Sequence, residues 1–239
     1  MSTPRERLVE AYAGVLDASP SDFSRGRATV VATERRRRPY WGSWVRHVWC
    51  LAVDGAVVCS AVPRVAPALR EALADPPASL LDHAARSRVR GAVGDAVPEG
   101  EWVQREVLHY PDAAPPDPDA DPDHDVDHVS PDEVDAAGGV VPDAPFDGAF
   151  VVCADGRPVS YAGLKRHGDV VELATGTLPG YRRRGMVTAA TARAVEAVLD
   201  RGSVPVYVPD SPGNEASYAL AAAVGFERVG ELLCHECKR

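Results

Sequence analysis

A β-prone segment, an arginine- and glycine-rich loop and an alanine-rich helical segment follow one another directly between Val170 and Leu199. Val170 to Thr175 is apolar, and from Val187 onward apolar residues recur at helical spacing. Between them runs Thr177-Leu178-Pro179-Gly180-Tyr181-Arg182-Arg183-Arg184-Gly185-Met186-Val187. At a strand-to-helix junction the unpaired backbone N–H groups and the positive end of the helix dipole favour an anion. Gly185 lets a ligand approach the main chain, and Arg182, Arg183 and Arg184 set cationic forks around it.

Two other phosphate-binding designs fail on spacing. No Gly-x-x-x-x-Gly-Lys-Ser/Thr occurs, and the only lysines are Lys165 and Lys238, which excludes a Walker-type nucleotide hydrolase. A Gly-x-Gly-x-x-Gly fingerprint after a strand is also missing.

A second motif follows. Val204 to Val208 reads as a short buried strand, and Pro209-Asp210-Ser211-Pro212-Gly213 as a turn-rich loop. Asn214 then caps a helix running to about Val224, which Gly225 closes before Phe226 starts another strand. With both motifs in order, Phe150 to Val229 resembles the GNAT superfamily of N-acetyltransferases, carried here by Arg182, Gly185, Val187, Asn214, Gly225 and Phe226. The resemblance implies an α/β (α+β) fold, a mixed, mostly antiparallel sheet flanked by helices. It also implies acetyl-CoA as co-substrate and an amine as acceptor, with no metal. The loop from Arg182 to Thr188, Met186 and Val187 included, would then hold the CoA pyrophosphate. Main-chain groups of Leu173 and Thr175 would hold the pantetheine like an added strand, provided that the strands at Leu173 and Val206 splay apart. Asn214 would bond it from the other wall.

The chain departs from the family pattern at two positions. Val187 stands where Gly or Ala is usual, and a β-branched side chain crowds the phosphate approach. Ala221 stands where the family often places the tyrosine that protonates the departing thiolate. Tyr218, three residues earlier on the same helical face, is the substitute, while Ser217 points roughly 100° away. The base that accepts the amine proton is expected to be a carboxylate. Glu172, on the strand leading to the loop, is preferred, with Asp169 as the alternative.

With 35 acidic against 26 basic residues and a net charge of −9, the chain does not read as a general nucleic-acid binder. No apolar run approaches the roughly 20 residues of a membrane helix. The first residues lack the apolar core of a signal peptide, so a cytoplasmic protein is the expectation. The five cysteines are odd in number and scattered, which reads as no disulfide framework, with Cys50, Cys59 and Cys153 as small core residues. Cys234 and Cys237 form a single Cys-x-x-Cys without the second pair that a zinc site needs.

Pro111 to Asp127 is almost entirely Pro, Asp and Ala and reads as an extended, partly disordered connector. The organisation expected is therefore a smaller α+β N-terminal domain over 1–110, an acidic linker over 111–125 and the acyltransferase domain over 126–239. Hairpins are marked by Asp155-Gly156 and Asp54-Gly55. Arg5 to Leu16, Ala66 to Ala74 and Pro77 to Ala85 read as helices, and Trp102 to Tyr110 as a strand. Glu34 to Trp44 interleaves cations with aromatics, as a single-strand nucleic-acid surface or an acceptor pocket does, and the preferred reading is a loop whose arginines stay in water or pair with the acidic connector while Trp41 and Trp44 pack inward.

Two functions follow. One is an acyl-CoA-dependent enzyme that acetylates an amine, with a small molecule as the favoured acceptor. The other is a catalytically weak CoA-binding sensor or assembly protein that acts through its N-terminal half. Pairing of two copies through a strand edge is a further expectation of the resemblance.

Overall fold

A computed structural model of the chain describes residues 3–111, 124–134, 140–142, 144–210 and 213–239. Most of the segment read as an acidic linker lies outside these residues. The elements run α1 (Pro4–Leu16), β1 (Ala28–Ala32), β2 (Pro39–Trp41), β3 (Trp44–Val53), β4 (Ala56–Ala61), α2 (Ala66–Ala72), α3 (His83–Val93) and β5 (Glu101–His109). They continue as β6 (Val126–Val129), α4 (Pro131–Val134), β7 (Ala149–Ala154), β8 (Arg157–His167), β9 (Val170–Thr177), α5 (Met186–Asp200), β10 (Val204–Tyr207), α6 (Glu215–Val224) and β11 (Glu227–Lys238). The sheet pairings are mixed and mostly antiparallel, with β1–β4 and β9–β10 parallel. No helix among the described residues is long and apolar enough to cross a membrane.

The contacts divide the chain into two units, one of Glu6–Val107, Pro209–Pro212 and Arg228–Arg239, the other of Met1–Arg5, Leu108–Val208 and Gly213–Glu227. In the first unit β3 lies between β4 and β11, and β1 pairs with the far side of β4. Asp54 (φ 51°) and Gly55 (φ 77°) make the tight β3–β4 turn that their sequence calls for. Val48, Cys50, Leu69, Leu80, Val89 and Leu233 belong to its buried core. Cys50 and Cys59 are cross-strand partners and are joined by a disulfide, which corrects their reading as free core thiols. The helix expected over 77–85 instead occupies His83–Val93, with Asp82 before its first turn. Arg36 is also corrected, since it is buried rather than solvated and donates from Nη2 to the Val15 carbonyl at 2.5 Å. Arg46 lies over the rings of Tyr40 and Trp49 and binds Glu236 through Nε at 3.0 Å.

In the second unit β10, β9, β8, β7 and β6 are neighbours in that order. Asp155 (φ 52°) and Gly156 (φ 71°) close the β7–β8 hairpin. Helix α5 packs on β7, β8 and β9, burying Ala189, Ala190, Ala192, Ala194, Val195 and Val198. Side chains this small let the helix axis lie close to the sheet. Helix α6 adds Leu220, Ala221 and Val224 to the same core, which holds Leu164, Val171, Leu173 and Tyr207 from the strands. The opposite face of β8 and β9 is laid with glycines under aromatic rings. A Cβ at Gly163 would stand 2.8 Å from the Phe146 ring, and one at Gly176 would stand 2.5 Å from Tyr161 Cε1.

Candidate functional site

The geometry of the site follows from where β10 stops. Parallel pairing of β10 with β9 begins at Val204 opposite Val170 and ends at Tyr207 opposite Leu173. Strand β9 continues to Thr177, paired with β8 as far as Ser160. Beyond Leu173 strand β9 stays paired with β8 alone, which leaves a gap in pairing on its β10 side.

Strand alternation identifies the groups that face this gap. The Asp169 carbonyl accepts from Val204 N at 2.8 Å, so it points toward β10, and Leu178 N donates to the Val159 carbonyl at 2.9 Å, so it points toward β8. Main-chain groups repeat their direction every second residue. Those of Leu173 and Thr175 accordingly face the β10 side, and Thr175 lies past the last pairing. Leu173 and Val206, where the sequence predicts a parting, are both still paired, to Tyr207 and Glu172 respectively, and the β9–β10 register ends one residue beyond Val206.

The loop after β9 is built on left-handed backbone. Arg183 has φ 60° and Gly185 has φ 78°. Gly185 is the N-cap of α5 and provides no side-chain acceptor. The first helical bond runs from Ala189 N to the Gly185 carbonyl at 3.0 Å, so the N–H groups of Met186, Val187 and Thr188 open toward the loop. Successive amides around a left-handed residue form an anion-binding concavity. Arg182, Arg183 and Arg184 are all exposed. Arg182 Nε donates to the Thr177 carbonyl at 3.4 Å, and the Arg184 guanidinium sits 5.4 Å from the Tyr181 ring centre. Met186 is buried, while Val187 and Thr188 are half-buried.

Across the gap stands the first turn of α6. Asn214 Oδ1 accepts from Ser217 N at 3.2 Å, the helix-capping bond expected of it. Gly225 ends the helix at φ 101°. Tyr218 is half-buried against the core, and Ala221 is 1% exposed. Sequence reasoning missed a set of hydroxyls here. Tyr207 Oη lies 2.9 Å from Thr175 Oγ1 and donates to Ser217 Oγ at 3.3 Å. Ser217 leaves the Tyr218 face, as its spacing predicts, and that direction brings it to Tyr207.

Glu172 lies on the other face of β9, opposite Lys165. Its carboxylate is 3.2 Å from Lys165 Nζ and 3.6 Å from His167 Nε2, with its side chain 13% exposed. Both neighbours could have been found by counting, since a two-residue turn at Gly168-Asp169 sets His167 opposite Val170 and Lys165 opposite Glu172. Asp169 is exposed in that turn, about 10 Å along the strand from Glu172 at 3.3 Å per residue. No cluster of three or more metal-ligating side chains occurs among the described residues.

Residues 149–234 match the family model described as GNAT acetyltransferase. Among solved structures, the chain is similar to a GNAT-family protein from Novosphingobium aromaticivorans DSM 12444, at 18% identity, with 100% of both chains covered and a TM-score of 0.50. A Drosophila protein is similar at 18% identity, with 84% of this chain and 77% of that chain covered and a TM-score of 0.50. At such identities the likeness is one of fold. No curated protein matches the chain.

Proposed function

We propose that the chain, in which residues 149–234 form a GNAT acetyltransferase domain, transfers an acetyl group from acetyl-CoA to the amino group of a small-molecule acceptor. The observation that carries this reading is the end of β9–β10 pairing at Leu173 and Tyr207, next to a helix start with open amides. A slot that exposes strand edge suits an extended amide-bearing arm, and the left-handed loop beside it suits a diphosphate.

In this reading the N–H groups from Arg183 to Thr188 hold the diphosphate, with the three arginines as salt-sensitive support. Leu173 and Thr175 bond the pantetheine through the main chain. Asn214 uses Oδ1 to cap α6, which leaves its Nδ2 as the donor for a pantetheine carbonyl. An N–H at the slot supports the developing oxyanion. Bound acetyl-CoA supplies an activated carbonyl carbon and a thiol leaving group. Glu172 accepts the proton of the attacking amine, directly or through one water. Lys165, 3.2 Å away, orients that carboxylate. Asp169, at the far end of the strand, is the less suited base.

Calorimetric titration with acetyl-CoA, followed by thiol release over a panel of small amines, tests the proposal. Failure to bind acetyl-CoA would overturn it. Tight binding with no turnover on any amine would favour the sensor reading.

A further inference from the structure

Tyr207 occupies the one position where the parting of β9 and β10 and the first turn of α6 meet. It is the last residue of β10, paired with Leu173. Its ring is 4% exposed and tilted against Phe226 at 5.9 Å between ring centres. Packing explains the ring, and the hydroxyl has a separate setting. Thr175 Oγ1 reaches it from β9, two residues past the last pairing, and Ser217 Oγ reaches it from α6, three residues past the cap. The hydroxyls thus join the two walls assigned above to the pantetheine, β9 and α6, at the level where its sulfur end would lie. Ala221, within the core, offers no donor, and Tyr218 has its ring against the core at the edge of the site.

We propose that the Tyr207 hydroxyl is the proton donor to the departing sulfur, with Ser217 and Thr175 as positioning residues. This rests on the acyl-CoA reading and extends it. The amine nitrogen forms a bond to the carbonyl carbon, and the C–S bond breaks with its electron pair on sulfur. The Tyr207 O–H proton passes to sulfur, giving the free thiol. The tyrosinate regains a proton from solvent through Ser217, while the proton lost by the amine leaves by way of Glu172. A phenol near ~10 and a thiol near ~8.5 lie close enough for transfer within a hydrogen bond.

The test needs neither an acceptor nor turnover. Reduced CoA is bound to the full chain, and its thiolate absorbance is followed against pH with desulfo-CoA as the blank. A phenol that donates to the thiolate favours the ionised form, so the bound thiol is expected to ionise about tenfold more readily in the wild type than in Tyr207→Phe, the scale of one hydrogen bond to a charge. Tyr218→Phe should match the wild type, and Ser217→Ala should shift in the direction of Tyr207→Phe by a smaller amount. Should Tyr207→Phe fold poorly by thermal melt, Ser217→Ala carries the test. Equal thiol titration in wild type, Tyr207→Phe and Ser217→Ala, with CoA bound by all three, would overturn the proton-donor assignment alone. No CoA binding by the wild type would overturn the acyl-CoA reading and this assignment together.

Discussion

Replacing Gly185 by alanine separates the demands that the loop places on one residue. Gly185 sits at φ 78° as the N-cap of α5. A Cβ in the left-handed region costs roughly 1–2 kcal/mol. For a chain of this size each kcal/mol corresponds to roughly 2–4 °C, so Gly185→Ala should melt roughly 2–8 °C lower. If the free loop instead relaxes to escape the strain, the melting temperature is kept and ligand binding must restore the left-handed form. The same 1–2 kcal/mol then reappears as a roughly 5- to 30-fold weaker Kd for CoA. Asparagine tolerates this backbone but not the close approach, so Gly185→Asn should recover most of the melting temperature while CoA stays weakly bound. Gly180 provides a control five residues away, because its φ is not positive and a Cβ there meets nothing within 4 Å. Gly180→Ala should match the wild type in thermal melt and calorimetry. A Gly185→Ala protein that matches Gly180→Ala in melting temperature and, within about twofold, in Kd would refute the proposed role of this loop in holding the diphosphate.

Glu172→Gln should lower kcat by roughly 10²- to 10⁴-fold with an unchanged Kd for CoA, while Asp169→Asn stays near wild type in the same thiol-release assay. Gly176→Ala would set a Cβ 2.5 Å from Tyr161 Cε1 and should cost about 1–3 kcal/mol in urea melts; the loss should shrink in a Tyr161→Ala background, since the two residues share one contact. The His47 imidazole is pulled down to about 4 by burial first, then by His235, Arg239, Arg64 and Arg37. The unfolded chain takes up this proton near ~6.5 and the folded chain only near 4, so stability is full above ~6.5 and falls as pH drops toward 4. Burial lowers His235 too, in the same sense. His47→Gln should flatten the difference in urea midpoint between about pH 7 and about pH 5, and an unaltered slope would remove His47 as its cause.

Local signals survive into the structure where the chain dictates its own geometry. The Asp54-Gly55 and Asp155-Gly156 turns, the Asn214 cap and the Gly225 stop depend on residues within four positions of one another. The α5 loop is legible for the same reason, although the left-handed Arg183 is not, because arginine carries no preference for that conformation. Pairings between distant segments stay hidden. The apolar run Val204 to Val208 marks Tyr207 as part of a buried strand, but only the parallel register with Leu173 brings its hydroxyl to Thr175. Cys50 and Cys59 read as two buried apolar residues, and their bond needs the β3–β4 register. Arg36 misleads because its acceptor, the Val15 carbonyl, belongs to a helix 21 residues away. The helix expected at 77–85 fails because the pair Pro76-Pro77 ends one helical stretch without starting the next.

Strand β11 gives the first unit an unusual order of assembly. Its register matches Gly230 with Val53 and Lys238 with Trp44, so β11 completes a group of strands, β1, β4 and β3, that all precede β5. During synthesis β3 must wait for β5 to β10 to be made before β11 can pair with it, with Val45, Trp49 and Leu51 along an open edge. A fragment ending near residue 110 would keep that edge permanently and would be prone to self-association, and refolding should be slow because the closing β3–β11 contact joins segments far apart in sequence.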